Sequence, residues 1–204
     1  MTIIKGKKLA MQMNGAYQVV IQPEKYNKGG WVSDTHVAVK LDNYELHEFI
    51  DRFFNYKKYN KVKHINCEVG ETLTIHNDSR TWSDITDRKV VDSILTDIPI
   101  EKNVEVTDII FKDHENERNV RILQKDDYLL YINDDEYGWI LDELDIFDIN
   151  QAGDSGAHSI NIIDEKGKPI ALIMPIAPEE IGKKVRKELE LICIYPWQVK
   201  VCML

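Results

Sequence analysis

Residues 152–173 constrain the fold most, because a glycine-bracketed turn is followed at once by two short apolar segments. The turn is Gly153-Asp154-Ser155-Gly156, and the apolar segments lie within residues 160–173, on either side of a second turn at 164–167. Apolar runs separated by a glycine-containing turn predict a β-hairpin. A serine on a tight bend beside free backbone N–H groups has the arrangement that acyl transfer requires. The simpler interpretation is a glycine-rich turn that happens to contain a serine.

The rest of the chain predicts a mainly β protein with two helices. Strand-like patterns cover residues 8–22 (two strands), 31–41, 62–76, 127–148 and 192–202. Their short, even spacing favours a small barrel. Helical spacing of apolar residues predicts one helix near 43–57, capped by Asp42 or Asn43, and a C-terminal helix near 178–192 that begins at Pro178.

Charge and cysteine content narrow the function classes. The 204 residues carry a net charge of −9, which argues against nucleic-acid binding by bulk electrostatics. No apolar run approaches the roughly 18 residues that a membrane span needs, and the N-terminus lacks a signal-peptide pattern. Cys67, Cys193 and Cys202 form no CxxC motif, which predicts a reducing, cytoplasmic setting. The histidines show no metal-ligand spacing, so no metal or other cofactor is expected.

The glycine-bracketed motif and its hairpin resemble the nucleophile region of chymotrypsin-like (trypsin-fold) serine proteases, most closely the compact viral and bacterial members. The resemblance implies a two-barrel fold, with an N-terminal β-barrel over residues 1–115 and a C-terminal β-barrel over 116–204. It implies that Ser155 is the nucleophile. It also implies that the backbone N–H groups of Gly153 and Ser155 form the oxyanion hole.

The same resemblance implies a base and an acid for the catalytic triad. His36 follows Ser33, which matches the hydroxyl position of the family's histidine segment. Asp92 opens an apolar segment that resembles the family's third triad position, so the chain order is His, Asp, Ser. The alternates are Asp108 and then Asp84 for the acid, and His64 for the base.

The expected function is therefore a serine endopeptidase that cleaves a protein or peptide substrate through an acyl-enzyme intermediate. Its partners would be that substrate and, as a further option, a dedicated partner protein. The residues expected to contact substrate lie before the turn and after the second strand of the hairpin: Ile149, Asn150, Gln151, Met174 and Ile176.

Departures from the family pattern keep a non-catalytic interpretation open. Asp34 and Thr35 replace the small apolar pair that usually precedes the histidine, and Ala157 is followed by His158 rather than by proline. The same fold would then be an interaction module, a pseudoprotease that binds without cleaving.

Two further classes stay open. A two-histidine phosphoesterase is suggested by His36 and His158, which each start a strand-like run, although Ala38 and Ile160 stand where that family needs a hydroxyl. A sliding-clamp-like structural protein is suggested by residues 170–176, and the acidic charge counts against it.

Overall fold

The chain forms two compact units in the computed structural model, which describes residues 4–24, 28–56, 72–76, 82–86, 104–125, 128–142, 148–151 and 159–193. The first unit comprises Met1–Asp97 with Pro169–Ala171, and the second comprises Ile98–Lys168 with Leu172–Leu204. The predicted barrel domains, 1–115 and 116–204, divide the chain at a different point, and they stay a prediction.

In its described residues, the first unit contains two helices and a set of antiparallel strands. Its elements are α1 (Gly6–Gln12), a 3-10 turn (Met13–Gly15), β1 (Gln18–Pro23), β2 (Gly30–Ser33), β3 (Val37–Leu41), α2 (Asn43–Tyr56), β4 (Thr72–His76) and β5 (Trp82–Thr86). The strand order is β5-β4-β1-β2-β3, with β11 (Pro169–Ile173) next to β3. Val20 lies opposite both Ser33 of β2 and Thr74 of β4, so β1 is central.

Helix α2 matches the predicted helix near 43–57, and its formation follows from one apolar face and one cap. Leu46, Phe49 and Phe53 are buried, and the rings of Phe49 and Phe53 stack with centroids 5.4 Å apart. The Asp42 carboxylate accepts the Glu45 N–H at 2.9 Å and so caps the helix, as the sequence predicts.

The described part of the second unit forms a three-stranded meander, a strand pair and a C-terminal helix. Its elements are β6 (Glu105–Asp113), β7 (Arg118–Lys125), β8 (Tyr128–Asn133), a π-helical turn (Asp134–Gly138), α3 (Trp139–Asp142), β9 (Asp148–Gln151), β10 (Ile160–Ile163), a 3-10 turn (Pro178–Glu180) and α4 (Lys183–Cys193). The meander has the order β6-β7-β8, and β10 lies between β9 and β11.

Helix α4 and the segment before it cover one face of the meander. The buried cluster there combines strand, loop and helix residues: Val120, Ile122, Tyr131, Ile176, Ile181, Val185 and Leu189, with Phe111 and Leu129 packed against them. The predicted C-terminal helix therefore exists, but regular α-helix begins at Lys183 rather than at Pro178. Pro178 starts a 3-10 turn instead, and Ile181 has an extended backbone that interrupts the helix.

The hairpin predicted behind the serine motif is confirmed. Strands β10 and β11 are joined by residues 164–168, where the Asp164 carboxylate accepts the backbone N–H groups of Lys166 and Lys168 at 2.9 and 2.8 Å. Gly167 has a φ of +72°, which a residue with a side chain rarely adopts.

Three of the strand predictions are wrong in part. Residues 6–12 form helix α1, because Leu9, Ala10 and Met13 share one buried helical face. Residues 139–142, predicted within a strand, form α3. The predicted strand 31–41 is two strands, β2 and β3, because the chain reverses at 34–36.

The fold class is mainly β with antiparallel sheets, as the sequence predicts. None of the antiparallel sheets formed by the strands that the structure describes closes into a barrel.

Candidate functional site

The serine motif belongs to the connection between two paired strands. Strand β9 pairs antiparallel with β10, and Gln151 lies opposite Ile160. Ser155 and Gly153, predicted as nucleophile and oxyanion-hole residues, fall within residues 152–158, outside the described residues. The strand pairing fixes both ends of their connection close together.

A buried polar residue lies at the exit from that connection. Asn161 is the second residue of β10, and it is almost fully buried. The Ser159 hydroxyl donates to Asn161 Oδ1 at 3.3 Å. A buried amide needs partners. This contact therefore links Ser159, the first described residue after the serine connection, to the start of β10.

The predicted substrate-contact residues occupy two segments of the second unit. Asn150 and Gln151 lie in β9 opposite Asn161 and Ile160, while Ile149 is buried and its carbonyl accepts the Val104 N–H at 3.1 Å. The other segment follows β11.

In that second segment, Met174 and Ile176 differ sharply in solvent exposure. Met174 is exposed, whereas Ile176 is buried and its N–H donates to the Tyr131 carbonyl at 2.7 Å. The backbone of Ile176 is therefore bonded to β8, so Met174 is the member of this pair whose side chain is open to solvent.

His36, the predicted base, is at the tip of the β2–β3 hairpin and is exposed. The Asp34 carboxylate accepts the N–H groups of His36 and Val37 at 3.0 and 2.8 Å, and Thr35 adopts a φ of +82°. Thr35 Oγ1 lies 3.3 Å from His36 Nδ1. A tight turn thus presents the imidazole, with a neighbouring hydroxyl beside Nδ1.

The candidate acids and the alternate base are only partly described. Asp108 is exposed on β6, in the second unit, whereas His36 belongs to the first. The backbone of Asp84 lies in β5. Asp92, the preferred acid, and His64, the alternate base, lie outside the described residues. The triad assignments therefore stay predictions.

Sequence reasoning missed a buried carboxylate at the end of β6. Asp113 is fully buried, and its Oδ2 accepts Asn116 Nδ2 at 2.7 Å and the Gly182 N–H at 3.3 Å, with Arg118 Nε 3.5 Å away. Burial alone would raise the pKa of Asp113. The hydrogen bonds from Asn116 and Gly182 and the charge of Arg118 outweigh burial and lower that pKa.

These contacts join the β6–β7 turn to the start of α4. The Glu180 carbonyl accepts both Asn116 Nδ2 at 3.0 Å and Arg118 Nη2 at 2.8 Å. A Cβ on Gly182 would lie 2.5 Å from Asp113 Oδ1, so a larger residue there would have to displace the buried carboxylate. The available sequence signal was the pair of acid and arginine that brackets the turn 114–117.

A second ion-pair cluster links β7 to the π-helical turn and α3. Arg121, nearly buried, donates from Nε to Asp134 Oδ1 at 2.5 Å and from Nη1 to Asp142 Oδ1 at 2.6 Å. Burial would lower the pKa of Arg121, but the two carboxylates raise it overall. Both acids are engaged by one guanidinium, which suits a structural role.

The described ranges contain neither a candidate metal site nor a candidate membrane span. Their histidine, cysteine and acidic side chains form no group of three that could hold a metal ion. None of their helices has the length and apolar character that crossing a bilayer demands.

The chain matches no protein-family description, and neither the curated proteins nor the solved structures contain a significant match to it.

Proposed function

We propose that the chain is a serine endopeptidase of the chymotrypsin-like type, with Ser155 as nucleophile, His36 as base and Asp92 as acid. One observation carries the proposal: the connection that holds Ser155 joins the paired strands β9 and β10 and is followed directly by the β10–β11 hairpin. The proposal includes the two-barrel fold and, from three cysteines that form no CxxC motif, a cytoplasmic setting.

The chemistry follows from the proton demands of the nucleophile. A serine hydroxyl is a weak nucleophile near neutral pH and needs a base, which His36 would supply through one ring nitrogen. Asp92 would hold the other nitrogen and stabilise the imidazolium. The N–H groups of Gly153 and Ser155 would receive the oxyanion of the tetrahedral intermediate.

The hairpin geometry sets a condition on this mechanism. Thr35 Oγ1 lies 3.3 Å from His36 Nδ1, the nitrogen that a triad acid engages when the other nitrogen faces the serine. The acid would have to displace this hydroxyl. Thr35→Val removes it, so a peptidase should keep or gain activity in that variant.

A labelling experiment tests the proposal. The wild-type protein should react covalently with a fluorophosphonate probe, and Ser155→Ala should abolish labelling while the melting temperature stays within about 2 °C. Ser159→Ala is the matched control, because Ser159 lies in the same stretch and should leave labelling intact. An unlabelled wild-type protein, or labelling that persists in Ser155→Ala, contradicts the assignment.

A second candidate is a non-catalytic binding protein, either the inactive trypsin-fold module or a sliding-clamp-like structural protein. The observation that favours it is a repeated order among the described elements of the two units. In the first unit, β1-β2-β3 leads into α2 and then β4-β5, and in the second, β6-β7-β8 leads into α3 and then β9-β10. Two units built in the same order fit a modular structural or binding protein, which needs no nucleophile. A folded wild-type protein that no fluorophosphonate labels would favour this candidate.

A further inference from the structure

Strand β6 is an open sheet edge with an apolar surface. It is the outer strand of the meander, and among the described strands it pairs only with β7. Three of its large apolar side chains are well exposed: Val106 at 41 %, Ile109 at 46 % and Ile110 at 46 %. A nine-residue edge strand that exposes three large apolar side chains is a template for pairing with another chain.

The pairing with β7 leaves the residues in the middle of β6 without a register partner on β7. The register moves directly from the pair Val106–Leu123 to the pair Ile110–Arg121, so residues 107–109 take no ladder position on β7. The Thr107 hydroxyl donates to the Ile122 carbonyl at 2.6 Å in place of a backbone bond. This irregularity lies within the exposed apolar stretch.

We propose that β6 pairs antiparallel with β6 of a second copy of this chain, with Ile110 opposite Ile110. The charge pattern of the strand selects this occupant. In this register Asp108 of each copy lies opposite Lys112 of the other, and Ile109 lies opposite Phe111. Two opposite-charge pairs and two apolar pairs then surround the symmetric Ile110 pair, and cross-strand pairs of both kinds stabilise antiparallel sheets.

The result would be a closed, twofold-symmetric dimer. Each three-stranded meander becomes half of a six-stranded sheet, which is an ordinary size for a sheet, and both open edges at β6 are satisfied at once. Lysine on an edge strand commonly prevents association. Here, however, Lys112 meets a carboxylate in the self-paired register, so it favours this register over shifted ones. The dimer does not depend on peptidase activity.

Sedimentation equilibrium of the full chain is the first test. At about 100 μM, wild type should be mostly dimeric if the dimer Kd is micromolar. Ile110→Lys should raise that Kd by more than tenfold, because it places two cations opposite each other. Met11→Lys is the matched control, since Met11 is an exposed apolar residue of α1, and it should leave the Kd unchanged.

Charge exchange tests the register. Asp108→Lys and Lys112→Asp should each raise the dimer Kd about tenfold, and the double variant should restore it. Oxidation of the Ile110→Cys variant should form a disulfide between residue 110 of two copies. Peptide mapping without reduction would detect the linked peptides. Val106→Cys, which falls opposite His114 in this register, should give no cross-link between identical positions.

Several outcomes overturn the proposal. A monomeric wild type at 100 μM, on the order of a hundredfold above a micromolar Kd, excludes the dimer. A dimer that Ile110→Lys leaves intact uses another surface. Failure of the double charge variant to restore the Kd excludes this register.

Discussion

Replacing Asp113 by asparagine tests whether the buried carboxylate joins β6 to the start of α4. The substitution keeps the shape of the side chain and removes its charge. It therefore imitates the protonated acid. Because the pKa of Asp113 is lowered in the folded protein, the ionised form is stabilised there relative to the neutral form. Asp113→Asn should accordingly destabilise the fold.

The magnitude follows from two contacts. The 2.7 Å hydrogen bond from Asn116 changes from charge-assisted to neutral, a loss of about 1 kcal/mol. The Arg118 ion pair contributes about 1 kcal/mol more, below the usual value for a buried pair, because the atoms are 3.5 Å apart. Arg118 also keeps the Glu180 carbonyl as a partner. The expected loss in the free energy of unfolding is about 2 kcal/mol at pH 7.

This loss should depend on pH in a defined direction. A group whose pKa is lowered by folding stabilises the folded state above its unfolded pKa, which is about 3.9 for aspartate. That stabilisation disappears as the pH falls through the lower, folded pKa of Asp113. The difference between wild type and Asp113→Asn should therefore be constant between pH 5 and 7 and shrink below about pH 4.

Urea unfolding followed by circular dichroism measures this difference. Glu105→Gln is the matched control: an exposed acid of the same strand becomes the same type of amide, and the change should stay within about 0.5 kcal/mol. If Asp113→Asn is as stable as Glu105→Gln at pH 7, or if its deficit persists unchanged at pH 3, the ion-pair reasoning is wrong.

Two other substitutions test local geometry. Arg121→Lys should lower the melting temperature by roughly 4–8 °C, since one ammonium cannot reproduce the two bonds to Asp134 and Asp142; a change below about 1 °C would show that the cluster contributes little. Gly29→Ala should cost at least about 2 kcal/mol, because Gly29 has a φ of +86° and a Cβ there would lie 1.9 Å from a carbonyl oxygen. Gly15→Ala, where a Cβ meets nothing within 4 Å, is the control, and equal urea midpoints for the two alanine variants would refute the strain argument.

The sequence predicted elements whose signals are local. Helix α2 has a cap and an apolar stripe within fifteen residues, and the β10–β11 hairpin has two apolar runs around a turn that Asp164 stabilises. In both cases neighbouring residues determine the conformation and the buried face together. Such agreement between local preference and burial makes an element predictable from sequence.

The predictions failed where apolar spacing fits two conformations. Residues 8–15 alternate roughly in polarity, yet Leu9, Ala10 and Met13 are buried on one helical face. The helix also depends on a distant partner, since the Gly6 N–H donates to the Glu45 carboxylate at 2.7 Å. A contact between residues 39 apart leaves no local pattern, so the periodicity alone predicts a strand.

The burial of the charged clusters was unpredictable for a related reason. Asp113 and Arg121 have the same residue types as many exposed positions of this charged chain, and only the packing of α4 and α3 makes them buried. A single acid in a sequence is usually exposed. The burial of Asp113 can be inferred only once the structure shows that Gly182 packs against its carboxylate.

The contacts that fix the position of His36 lie inside the β2–β3 turn and do not depend on whether His36 is catalytic. Hydrogen bonds from the backbone to Asp34 and the left-handed conformation of Thr35 fix the tip of the hairpin with interactions inside the turn. The same turn would therefore form in an enzyme and in a binding protein. The two candidates differ in what engages His36 Nδ1: the peptidase needs a carboxylate there, whereas the binding protein needs only the Thr35 hydroxyl. The Nδ1 proton of this imidazole, followed by NMR in wild type and Asp92→Asn, discriminates directly between them. A proton held by the Asp92 carboxylate exchanges slowly with water and should be lost from the spectrum in Asp92→Asn, whereas a contact with the Thr35 hydroxyl should not change.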